Sequence, residues 1–167
     1  MDPIDPSEFE DLLNPLGDDR ERFMQMALRE AEIALENGDV PVGAVIVKDG
    51  KVIGRGHNQR ELLKDPTAHA EMIAITQAAA ELENWRLTGA TLYVTLEPCP
   101  MCAGALVNAR LKRVVFGTAD PRAGACGSVM NVSQADELNH HVEIVHSVLE
   151  ERCAAILRDF FKSRRKG

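Results

Sequence analysis

No apolar run in this chain approaches the about 20 residues needed to cross a bilayer. The N-terminus, Met1 to Asp19, has neither a basic start nor an apolar stretch, so nothing in it reads as a secretory signal. Residues 1–19 contain no Lys or Arg. Internal repeats, low-complexity segments and internal linkers are also missing. Cysteine is scarce, with four in 167 residues. A chain this long builds its core without disulfide staples, and the expected compartment is the cytoplasm. There a C-x-x-C pair points to metal binding or redox chemistry rather than to a cross-link.

What is present fits one domain. The hydrophobic fraction of 45% and the charged fraction of 27% are ordinary for a soluble globular protein. The net charge of −7 is carried by Asp2, Asp5, Glu8, Glu10, Asp11, Asp18 and Asp19, so residues 20–167 are neutral overall. We expect residues 1–19 to form a mobile acidic extension and residues 20–167 to form the domain. The far end is basic: Arg158, Lys162, Arg164, Arg165 and Lys166 stand against Asp159 alone. Such an edge could meet phosphate. It could equally be a solvated helix end whose cations suit the helix dipole.

Periodicity supplies the elements. Phe23, Met26, Ala27, Ala31, Ala34 and Leu35 recur near every 3.6 residues and predict a helix over 21–37. Apolar runs at 42–47 and 51–56, joined through Lys48-Asp49-Gly50, predict a β-hairpin. Further helices are expected over 68–83, 98–108 and 147–163. Further strands are expected over 91–96, 113–117 and 142–145. Strands alternating with helices after the hairpin imply a largely parallel sheet covered on both faces. The fold class is therefore α/β, a single three-layer α/β/α domain of about five strands.

The chemistry concentrates at His69-Ala70-Glu71 and Cys99-Pro100-Met101-Cys102. One imidazole and two thiolates hold a zinc ion and leave a fourth position open, which is the composition of a catalytic site. Cys99 and Cys102 lie one turn apart at a helix start, where unpaired N–H groups and the dipole favour thiolate. Pro98 and Pro100 suit a sharp strand-to-helix turn. His69 and Glu71, two apart, do not face each other on a regular helix. At a helix entrance, however, both can flank an object beyond the end. His57, His140, His141, His146 and Cys126 are candidates for a fourth, closing ligand, and none sits at a tight spacing to the three. Cys153 falls in a helical apolar pattern and reads as core. A thioredoxin-like redox role for the Cys pair would leave His69 and Glu71 unexplained.

H-x-E followed by P-C-x-x-C is the signature of zinc-dependent nucleobase deaminases. Around it stand Gly38-Asp39-Val40-Pro41-Val42-Gly43-Ala44, Gly56-His57-Asn58, Asp65-Pro66-Thr67-Ala68, Thr91 to Glu97, Met101-Cys102-Ala103-Gly104-Ala105, Asn139-His140, Val142-Glu143-Ile144, Phe160-Phe161 and Arg164-Arg165. With these blocks, over roughly residues 20–166, the chain closely resembles the bacterial tRNA-specific adenosine deaminases of the cytidine deaminase superfamily. The acidic extension is outside that pattern.

The resemblance implies a mixed five-stranded sheet between helices and a homodimer whose subunits both help to hold RNA. It implies one zinc per subunit on His69, Cys99 and Cys102, with Glu71 as proton shuttle. Asn58 would lie near the target nucleoside and Asp120 in a loop contacting RNA beside it. Phe160, Arg164 and Arg165 would lie on the helix that touches the anticodon stem-loop. The implied reaction is hydrolytic deamination of adenosine to inosine at the wobble position of a tRNA, an arginine tRNA by the same resemblance. The alternatives are a deaminase of free guanine, cytosine or cytidine, and a non-catalytic zinc-bearing RNA-binding subunit.

Overall fold

The computed structural model describes residues 19–165. The expected acidic extension lies outside them except for Asp19. That residue opens helix α1 (Asp19–Glu36). There follow β1 (Gly43–Lys48), β2 (Lys51–His57), the short α2 (Arg60–Leu63), α3 (Ala70–Leu82), β3 (Thr91–Leu96), α4 (Pro100–Asn108), β4 (Arg113–Thr118), β5 (Glu143–Val145) and α5 (Glu150–Arg165). The five strands form one sheet in the order β2-β1-β3-β4-β5.

β1 pairs antiparallel with both β2 and β3, whereas β3–β4 and β4–β5 are parallel. The sheet is thus mixed, as the family resemblance implies. Periodicity alone suggests a largely parallel sheet, and that expectation holds for only half of it. The reason is that the hairpin inserts β1, not β2, beside β3. The hairpin turn itself is legible in sequence. Asp49 and Gly50 both take positive φ, 52° and 75°, the conformation a two-residue turn needs to match the strand twist.

Each face of the sheet carries its own core. On one side Ala44, Ile46, Leu92, Val94 and Val114 meet Ala70, Ala74 and Ala78 of α3 and Ala103, Leu106 and Val107 of α4. On the other, Val45, Val47, Tyr93 and Val115 meet Phe23, Met24, Ala27 and Leu28 of α1 and Cys153 of α5. Strict alternation along β1 and β3 feeds both layers. Cys153 is fully buried there, in the apolar setting its pattern suggests.

Small residues let the layers close. A Cβ added at Gly43 would lie 2.0 Å from the Ala27 carbonyl oxygen and 2.4 Å from the Ala31 nitrogen. Those are rigid helix backbone atoms, so α1 would have to move off the sheet. Gly43→Ala should therefore lower unfolding free energy by about 3 kcal/mol, measured as a shift of the urea midpoint at unchanged slope.

Two elements differ from the sequence expectation. α2 is four residues long, too short for periodicity to reveal. Its N–H groups at Glu61 and Leu62 donate to the buried carboxylate of Asp39, at 2.7 and 3.2 Å. The last helix begins at Glu150 rather than Ser147. Ser147 and Leu149 have φ of 66° and 51°, and left-handed residues cannot continue a right-handed helix.

Candidate functional site

β3 ends at Leu96, and Glu97-Pro98 carries the chain round to α4. Cys99 is the N-cap of that helix, extended at φ −74° and ψ 173°, with Pro100 at the first helical position. Proline suits that place because its missing N–H is not required there. Cys102 follows one turn later, fully buried. His69 is likewise the N-cap of α3, extended at φ −78° and ψ 152°. Two helix starts thus aim at one point.

His69 Nδ1 lies 3.6 Å from Cys99 Sγ and 3.5 Å from Cys102 Sγ. Zinc at its usual bond lengths to nitrogen and sulfur, in a tetrahedron, would set those separations at about 3.6 Å. The three donors all lie within 4.8 Å of one another, so the donor set and its spacing fit that ion. Among the described residues no fourth His, Cys or carboxylate joins the group. The other histidines are engaged elsewhere: His57 with Glu30, His140 with the Leu111 carbonyl, His141 with the Ala135 carbonyl and His146 with the Ser147 hydroxyl.

Electrostatics suit a cation. A hydrogen bond from the Cys102 thiol, helped by His69 and working against burial, pulls the Cys99 thiol down to about 4. That bond and burial push the Cys102 thiol far up. A metal held there would take both as thiolates. The Cys99 bond, against burial, raises His69. Cys126 and Cys153, by contrast, are pushed up to about 12, above all by burial, which keeps them inert thiols.

Glu71 is 4% exposed, and burial raises its carboxyl above the ordinary range. A raised carboxyl suits a group that must both take and give a proton near neutrality. The spacing problem posed by His69 and Glu71 is resolved by the cap. His69 stands half outside the helix, so the rule for helical neighbours does not govern it, and both residues face the same cavity.

That cavity measures about 280 Å³. Besides His69, Glu71 and Cys99 it is lined by Val40, Val42, Asn58, Arg60, Leu96, Glu97, Asp120, Ala123 and Phe161. The Asn58 amide donates to the Val40 carbonyl at 3.2 Å and accepts from the Arg60 N–H at 3.1 Å. One N–H and one lone pair remain for a ligand edge. Asp120 accepts from the Arg122 and Ala123 N–H groups.

Three of the nominated residues stand off the cavity wall. Phe160 is buried at 8% exposure with the Arg164 guanidinium 4.9 Å over its ring, and it is the adjacent Phe161 that lines the cavity. Arg164 also donates to the Gly38 carbonyl at 2.6 Å, tying α5 to the loop before β1. Arg165 is exposed at the end of α5.

Sequence reasoning missed Arg60, Asp39 and Glu97. Arg60 is the sole Lys or Arg on the cavity wall among the described residues. Asp39 fixes the backbone on which Arg60 sits. Glu97 adjoins the Pro-Cys motif, and that adjacency was the available signal. Its carboxyl is held low because four hydrogen bonds, led by the Ser128 hydroxyl, outweigh the opposing effect of burial.

Residues 18–165 match the MafB19-like deaminase family. The chain is 52% identical to a tRNA-specific adenosine deaminase of Bacillus subtilis (strain 168) over 146 residues, covering 87% of this chain and 91% of that one. It is 49% identical to a tRNA-specific adenosine deaminase of Aquifex aeolicus (strain VF5) over 148 residues, covering 89% and 97%. A solved structure from work on A-to-I editing by tRNA:A34 deaminases at the wobble position aligns with TM-score 0.79 at 44% identity, over 81% of this chain and 99% of that one. A guanine deaminase of Nitrosomonas europaea shares the fold, with TM-score 0.71 at 20% identity over 95% and 93%.

Proposed function

The chain belongs to the tRNA-specific adenosine deaminases, and on that footing we propose that it hydrolyses adenosine to inosine at the wobble position of a tRNA anticodon. The observation that carries the reading is the pairing, in one small cavity, of a three-donor metal cluster with a buried carboxyl. Held by His69, Cys99 and Cys102, zinc supplies a Lewis acid that brings the pKa of water toward neutrality.

The rest of the chemistry falls to the chain. Glu71 takes a proton from the attacking water and hands it to N1 of the adenine, which makes C6 electrophilic. The water oxygen bonds to C6, and Glu71 carries the remaining proton of that oxygen to the amine; the C6–N bond breaks, ammonia departs and the C6 carbonyl of inosine is left. Asn58, braced by Val40 and Arg60, offers its remaining N–H and lone pair to the base or its sugar. Val42 and Leu96 supply apolar wall. The target base must leave its stack, and a single-stranded loop makes that cheap.

Phosphate needs cations, and the cavity wall is otherwise acidic. Arg60 at its rim is the group to meet the phosphate of the target nucleotide. Asp120 holds the loop beside it, and Phe161, Arg164 and Arg165 present the α5 end to the stem. Arg60→Ala should raise KM for stem-loop RNA about tenfold and lessen the salt slope of log KM by about 0.7, the share of one phosphate. Neutralising Arg165 should flatten the slope similarly; Arg164→Ala should do so and also loosen the Gly38 loop. A salt slope left intact in Arg60→Ala would remove that contact.

On the same reading residues 20–167 form the deaminase domain, and residues 1–19 are an appended acidic extension. The working form is a cytoplasmic homodimer with one zinc per subunit, and an arginine tRNA is the expected substrate. The test is ammonia release from an anticodon stem-loop beside free adenosine, cytidine and guanine. The stem-loop should react at least about 10²-fold faster, in kcat/KM, than any free base or nucleoside. A free compound matching it would make this a small-molecule deaminase.

A further inference from the structure

Glu97 is a charged group buried in the wall of the cavity, with 2% exposure. Among the described residues no Lys, Arg or His forms an ion pair with it. An isolated buried carboxylate is costly, so its charge must be met in another way. The N–H of Asp120 donates to one oxygen at 3.1 Å, and the Ser128 hydroxyl donates to that oxygen as well. The N–H groups of Cys126 and Ser128 donate to the other at 3.0 and 3.1 Å. Gly124 completes the cradle: a Cβ there would lie 2.5 Å from the carboxyl carbon and from both oxygens. Two backbone bonds fasten the ends, from the Glu97 N–H to the Thr118 carbonyl and from the Ala125 N–H to the Pro98 carbonyl, each 2.9 Å.

Segment 119–128 is thus folded round one anion. It also sets Asp120 and Ala123 at the cavity that His69 and Glu71 line. Other residues of the segment, Ala119, Cys126, Gly127 and Ser128, line a second recess of about 510 Å³ with Asn131, Gln134 and His146. Ala125 and Cys126 anchor the middle of the segment in the core and local turn bonds shape it, but Glu97 is the one side chain that ties Asp120, Cys126 and Ser128 together. A neutral amide in place of the carboxylate would turn an –NH2 toward N–H donors, breaking at least one bond outright.

On the RNA reading above, we propose that Glu97 is a positioning residue: its carboxylate is the internal anion round which the 119–128 wall closes, and the wall so held sets how tightly RNA beside the target base is bound. Glu97→Gln should raise KM for stem-loop RNA about tenfold or more, with kcat at saturating RNA within about threefold of wild type and zinc still stoichiometric. Gly124→Ala perturbs the same cradle from the loop side and leaves the chain from Glu97 to Cys102 unaltered, so it should do the same. The double variant should cost no more than the worse single, because both break one unit.

Amide hydrogen exchange supplies a readout independent of RNA. In both variants the amides of Asp120, Cys126 and Ser128 should exchange faster, while those of α4 stay protected. Wild-type KM in Glu97→Gln, or unchanged exchange across 119–128, overturns the proposal. So does zinc loss that tracks the activity of both variants, for Glu97 would then serve the metal ligands. Should Glu97→Gln not fold, the Gly124→Ala result decides alone. Wild-type protein inert on the stem-loop overturns instead the substrate reading, which the exchange data do not touch.

Discussion

Glu71→Gln should lower kcat on anticodon stem-loop RNA by roughly 10³-fold while leaving one zinc per chain. The amide matches the carboxyl in shape, so packing at this 4%-exposed position is kept and the loss reports proton transfer. Glu71 is not among the three grouped metal donors, which is why occupancy should survive. Burial already raises its carboxyl, so the neutral form is tolerated by the fold and Gln should bring no large destabilisation. KM for the stem-loop should change little, since the interaction removed is one used in the transition state. Near-normal turnover with full zinc would show that another group moves the proton. Zinc loss in Glu71→Gln would show instead that the carboxyl belongs to the metal site.

Metal removal should have an effect as large. Dialysis against a chelator should abolish activity, and stoichiometric zinc should restore it. The two helix starts that carry His69, Cys99 and Cys102 are drawn together across different segments of the chain, so an ion joining them also joins α3 to α4. A ligand that binds only the folded chain, at about a hundredfold over its Kd, contributes about 2.7 kcal/mol. For a domain of this size the melting temperature should therefore fall by about 5–10 °C on chelation. Cys102→Ala should behave as chelated protein does and should not recover with added zinc, because two donors no longer define the site. Activity that persists after verified metal removal would contradict this part of the account.

The fold was legible where the local signal matched the global arrangement. The alternation in β1 and β3, the apolar stripe of α1 and the Asp49-Gly50 turn each predict what is found. Strand order was not legible, because pairing is decided by which hairpin arm meets β3, a contact between residues 44 to 50 apart along the chain, from Val47 with Thr91 to Ala44 with Val94. Nor was α2, whose cap is supplied by Asp39 from a distant loop rather than by a neighbour. The start of α5 is not legible either, because the helical pattern continues back through Ser147 and Leu149, whose backbone is left-handed.

The site divides in the same way. The three donors and Glu71 stand in short motifs at helix starts, where spacing carries geometry. Which of Phe160 and Phe161 faces the cavity depends on the rotation of α5 against the sheet, and spacing does not give that angle. Glu97 and Arg60 acquire their places only through loops that return from elsewhere, and no local pattern announces such a return. The carboxylate of Glu97 is met by amides 23 to 31 residues further on.

One measurement bears most directly on the whole account. Purified zinc-loaded protein is incubated with an anticodon stem-loop in water enriched in heavy oxygen, and the digested nucleosides are read by mass spectrometry. Inosine should replace adenosine at the wobble position alone, each molecule carrying one heavy oxygen atom from solvent, with one ammonia released per inosine. Adenosine left intact by zinc-replete protein, or inosine without solvent oxygen, would contradict hydrolysis at this centre.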